Sequence, residues 1–78
     1  MSQESVEIVV HIDETLDDKN LSQLEESLCQ DFGIECVRIH PNRQHLMLVD
    51  YLPDNVDTMQ VLNYVKNKGV NAELVGGI

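Results

Sequence analysis

The chain has 78 residues, fourteen of them acidic and five basic, for a net charge of −9. That length leaves room for one domain, residues 1–78, and that charge repels phosphate backbones and anionic lipid, so neither nucleic acid nor membrane is expected as a partner. Two cysteines, Cys29 and Cys36, are too few for a disulfide scaffold. No apolar run approaches the ~20 residues of a membrane span, and the start, Met1-Ser2-Gln3-Glu4-Ser5, is unlike a signal peptide; a soluble cytoplasmic protein is expected.

Apolar residues at every second position from Val6 to Ile12 predict a first strand. After the polar stretch from Asp13 to Asn20, Leu21, Leu24, Leu28 and Phe32 recur at helical spacing. Asp17 or Thr15 can cap this helix, the acidic residues before it match its dipole, and Gly33 suits the left-handed position that stops it. Val37 and Ile39 alternate with Cys36, Arg38 and His40 in a second strand. Pro41-Asn42-Arg43-Gln44 reads as a turn, and Leu46 to Tyr51 as a third, central strand. Asp57 and Gln60 have capping-box spacing for a second helix, whose stripe is Val61, Leu62 and Val65. Lys66, Lys68 and Gly69 end it, and Val70 to Val75 is a last strand.

The order βαββαβ predicts an α+β, ferredoxin-like fold: a four-stranded antiparallel sheet with both helices on one face. Nothing remains to cover the other face. Strand parity sends Val9, His11, Cys36, Arg38, Leu46 and Leu48 to that open side, where Val9, Leu46 and Leu48 should form an exposed apolar patch. Val9, Cys36, Arg38, Leu46 and Leu48 are therefore the expected contact surface for another protein or for self-association.

Three stretches carry a family resemblance: Phe32-Gly33-Ile34-Glu35-Cys36-Val37-Arg38-Ile39, Val49-Asp50-Tyr51-Leu52-Pro53-Asp54-Asn55-Val56, and Asn67-Lys68-Gly69-Val70-Asn71-Ala72-Glu73-Leu74. In this order and spacing they are similar to the heavy-metal-associated domains of copper chaperones and metal-pumping ATPases. The resemblance implies the same fold. It also implies a Met-x-Cys-x-x-Cys loop after the first strand, where two thiolates would hold Cu(I). Counting back from Gly33 puts that pair near Asp17 and Asn20, and Thr15 near the Met. Neither thiol is present, Val70 replaces the family's aromatic after the second helix, and copper carriage does not transfer.

Other chemistry is sparse. Cys29 reads as a small buried hydrophobe, and Cys36 as an accessible thiol with no partner at ligand spacing. His11, His40 and His45 should meet at one sheet edge, where Zn(II), Ni(II) or Cu(II) would suit imidazoles with Asp13 or Glu14 nearby; three unrelated surface histidines explain them as well. The acidic residues from Asp13 to Asp18 lack EF-hand spacing. Neither a phosphate loop nor a nucleophile elbow is present, so no enzyme and no cofactor are expected. The reading is a non-enzymatic interaction module that has lost soft-metal binding. The alternatives are a divalent-metal-responsive protein using the histidines, or a small-molecule regulatory domain of the ACT kind.

Overall fold

A computed structural model describes residues 4–40 and 42–77. Six elements follow in chain order: β1 (Val6–Ile12), α1 (Asp18–Cys29), β2 (Ile34–His40), β3 (Arg43–Tyr51), α2 (Thr58–Asn67) and β4 (Ala72–Gly77). The strands form one antiparallel sheet in the order β2-β3-β1-β4. The βαββαβ, ferredoxin-like architecture is as the periodicities predict.

The helix ends show the local chemistry that places them. Asp17 caps α1 by accepting from the backbone N–H of Asn20 at 2.9 Å. Asp57 and Gln60 form a reciprocal capping box on α2, each side chain accepting from the other's backbone N–H, at 2.8 and 3.1 Å. Gly69 follows the C-cap residue Lys68 with φ +93°, the left-handed stop that lets the chain turn into β4. Gly33 is also left-handed, at φ +83°, but it sits three residues beyond the α1 C-cap, Gln30, and serves the entry to β2.

The apolar stripe of each helix packs onto one sheet face. Leu24 and Leu28 from α1 and Val61, Leu62 and Val65 from α2 join Ile8, Val10, Ile12, Val37, Met47, Val49 and Tyr51 in one core. Burying each aliphatic side chain contributes about 1.5–3 kcal/mol, which is how a chain with so few aromatics holds together. Ile39 is half-buried because β2 is an edge strand; its backbone N–H, which has no strand beyond it, donates to Glu25 Oε2 at 3.1 Å. Among the described residues the Tyr51 hydroxyl is the one polar group carried by a core side chain, so the remaining polar chemistry lies at the surface.

Four expectations need correction. Phe32 does not extend the α1 stripe: the helix ends at Cys29, and the ring, in the turn beyond, is 67% exposed. Cys29 is exposed rather than buried, because it follows Leu28 by one residue and the buried stripe has turned away. Arg43 and Gln44 belong to β3, not to a turn; of that stretch, Pro41 lies outside the described residues. The last strand begins at Ala72, since Gly69 to Asn71 are needed to bring the chain from α2 back to the sheet.

Candidate functional site

The ends of β1 and β2 and the starts of β3 and β4 lie at one edge of the sheet, as antiparallel pairing requires. Two loops are fastened together there. Asp13 N–H, just past β1, donates to Asn71 O at 2.9 Å. Asn71, just before β4, donates its own backbone N–H to both carboxylate oxygens of Glu14, at 2.9 and 3.1 Å, and its side-chain amide to Glu14 Oε2 at 3.2 Å. Beside this clamp a depression of about 380 Å³ runs between α1 and the α2–β4 loop, lined by Leu16, Asn20, Leu24, Lys68 and Val70 among others.

Two of the three histidines meet at this edge. The rings of His11 and His45 stack with centroids 5.7 Å apart and planes 16° from parallel. His45 Nδ1 lies 2.8 Å from Ile12 O, and since a carbonyl only accepts, Nδ1 carries the proton. His40 stands apart from the stack. Its Nδ1 accepts from the Asn42 N–H at 3.2 Å, and it lines a different depression, with Asp18, Glu25 and Gln44. The expected grouping of His11, His40 and His45 as one ligand set is therefore not the arrangement the fold makes. His11 instead groups with Asp13 and Glu73, the three offering donor atoms that all lie within 4.8 Å of one another.

Glu73 had no signal of its own in the sequence; it is a single acidic residue in a short last strand. Its partnership follows from register alone, because β4 pairs with β1 so that Glu73 stands directly opposite His11.

The open face has the expected membership. Cross-strand neighbours place Arg38 opposite Leu48 and Leu48 opposite Val9, Cys36 opposite Asp50 and Asp50 opposite Glu7, and Leu46 opposite His11. The Val9, Leu46 and Leu48 side chains are half-buried rather than fully exposed, since flat neighbours on a sheet shade one another. Across them, the Arg38 guanidinium reaches Glu7 at 2.8 Å and lies 3.7 Å from Asp50. The large apolar side chains exposed among the described residues are instead Phe32, Met59, Leu74 and Val75.

At the positions where the family resemblance would put two thiolates stand Asp17, whose carboxylate accepts the backbone N–H of Asn20 as the α1 cap, and Asn20 itself. The two cysteines are elsewhere. Cys29 is at the far end of α1 from this loop, and Cys36 is half-buried in β2.

No family model matches the sequence, and no curated protein matches it. Solved structures do. A copper-binding domain from HMA7, a P-type ATPase, superimposes with a TM-score of 0.82 at 17% identity, over 92% of this chain and 96% of the other. The copper(I)-loaded first domain of the human copper chaperone for SOD1 gives 0.77 at 19% identity, over 95% and 97%. A copper chaperone of Enterococcus hirae gives 0.75 at 15% identity, over 87% and 98%. At such identities the likeness shows the fold: this chain has the architecture of copper-binding heavy-metal-associated domains across nearly its whole length.

Proposed function

We propose that this protein is a non-enzymatic interaction module that keeps the heavy-metal-associated fold and has exchanged its thiolate chemistry for a helix cap. The observation that carries this is the Asp17–Asn20 pair. In the neighbours whose names record bound copper, the fold is the same. Here the corresponding stretch holds a carboxylate and an amide, and the carboxylate is already accepting a backbone hydrogen bond. Soft Cu(I) prefers thiolate to oxygen ligands. Cys29 and Cys36 are separated by the α1–β2 turn, one on a helix end and one on a strand, so neither supplies the other with a close second sulfur.

The partner is another protein, or a second copy of this chain, taken on the open sheet face through Val9, Cys36, Arg38, Leu46 and Leu48. Half-buried aliphatic side chains beside one guanidinium and two carboxylates suit a mixed apolar and charged contact. The acidic surface favours a basic partner and speeds its approach at low salt. Competition of the fully reduced protein against a Cu(I) chelator tests the loss of soft-metal binding: the chelator is expected to keep the metal. Stoichiometric capture of copper by the monomer, lost in Cys36→Ser, would overturn the reading.

A further inference from the structure

We infer that His11, Asp13 and Glu73 form a binding site for a divalent first-row transition ion such as Zn(II), at the end of the β1–β4 pair. This goes beyond the interaction reading and does not depend on it, since the three residues are distinct from the proposed contact set.

The backbone assembles the site. His11 and Asp13 are two apart on one line of chain, which sends both side chains to the same side of the sheet. The ladder continues past the end of β1 through Asp13 N–H to Asn71 O, so Asp13 is held in strand-like register rather than left in a free loop. Glu73 stands directly opposite His11 on β4. The Glu14 clamp on Asn71 fixes the β4 entry two residues before Glu73. Three donor side chains are thus delivered by two bonded strands, without any long loop to order on binding.

The local chemistry fits a cation. All three donor atoms lie within 4.8 Å of one another. His11 Nδ1 and Asp13 Oδ1 are 3.2 Å apart, close to the donor–donor edge of about 3.4 Å in a tetrahedron with bonds of about 2.0–2.2 Å. Glu73 and Asp13 are exposed and free to rotate inward the small remaining distance. His11 Nδ1 is a buried atom that makes no well-formed hydrogen bond, despite that nearby carboxylate. A metal would satisfy it. The stack of His45 on His11 holds the ring plane, and His45 is itself anchored through Nδ1 to Ile12 O; it acts as a positioning residue. One imidazole with two carboxylates is a borderline-to-hard donor set. It suits Zn(II) and its first-row neighbours, and is poorly matched to Cu(I). Water completes the coordination.

The test is calorimetric titration of the whole chain with Zn(II), in a buffer that does not bind the metal, with parallel NMR of the three imidazoles. One ion per chain is expected, with the His11 resonances moving and those of His40 staying in place. His11→Ala and Glu73→Gln should each weaken binding at least about tenfold, the lower end of what even indirect disturbance of a metal site costs, while His40→Ala leaves it unchanged. Circular dichroism establishes that each variant is folded. Glu73→Gln, an exposed near-isosteric change, keeps the test decisive if His11→Ala is not. No saturable binding at millimolar Zn(II) would overturn the site and leave only a close His11–Asp13 contact. Binding that survives Glu73→Gln, or is lost with His40→Ala, would overturn this ligand set.

Discussion

Glu14 and Asn71, 57 positions apart, are joined by three hydrogen bonds, two of them from one backbone N–H to the two oxygens of a single carboxylate. The contact ties the loop that leaves β1 to the loop that enters β4. In this fold those loops meet beside the position where the family resemblance would put a metal-binding segment. Asn71 is exposed and Glu14 half-buried, so water competes for the bonds. Glu14→Ala should lower stability by about 0.5–1.5 kcal/mol in urea unfolding, the net worth of a partly solvated hydrogen bond. Glu14→Gln, which keeps one acceptor, should lose less. Equal losses in the two variants would mean that the contact is not held through the carboxylate oxygens.

The two left-handed glycines should respond differently to alanine. A Cβ on Gly33 would sit 2.8 and 2.9 Å from the two Val56 methyl carbons, and Val56 is buried. A Cβ on Gly69 would meet nothing within 4 Å. Gly69→Ala therefore carries only the left-handed penalty of about 1–2 kcal/mol. Gly33→Ala carries that penalty and the steric conflict as well, and should be clearly the more destabilised in paired denaturation curves.

Removing the α2 cap tests whether the second helix depends on its first turn. Asp57→Ala frees the Gln60 N–H and breaks the reciprocal bond, with an expected cost of about 1 kcal/mol. Asp57→Ser, another capping residue, should restore most of it. Thermal unfolding followed by far-ultraviolet circular dichroism measures both.

Adjacent residues of β3 separate the core from the proposed contact surface. Leu48→Lys lies on the open face and should leave the fold intact while abolishing any self-association or partner binding, read by sedimentation velocity. Met47 and Val49 are almost wholly buried on the other face. Met47→Ala should cost about 2–5 kcal/mol as the cavity it leaves collapses only in part. If Leu48→Lys unfolds the chain, the open face is part of the stable core; if an assembly persists unchanged, that face is not the interface.

Much of this molecule is legible residue by residue because it depends on local periodicity. Alternation in Val6–Ile12 and the Leu21, Leu24, Leu28 spacing assign their elements and inward faces without knowledge of neighbours. Asp17, Asp57 and Gly69 mark boundaries through chemistry confined to one turn. Phe32 and Cys29 depart from the expected burial for different reasons. Phe32 continues the stripe's spacing past the point where the chain must turn to reach β2, and Cys29, still within α1, is one residue off that stripe. Val9, Leu46 and Leu48 were placed on the correct face, yet their degree of exposure depends on flanking strands that parity does not describe.

The sequence by itself determined the order of elements, the side of the sheet each strand residue takes, the helix caps, and the fact that no cysteine pair occupies the loop after β1. These follow from backbone geometry and residue type within a few positions. Only the tertiary structure decided that His11 lies with Asp13 and Glu73 while His40 stands apart, and that Glu14 holds Asn71. Such pairings join residues up to 62 positions apart. They are set by strand register, which shifts between Val9 and Val10 where β4 pairs with β1. A register is chosen by how the whole buried face packs, and a one-residue slip would put a different side chain opposite His11.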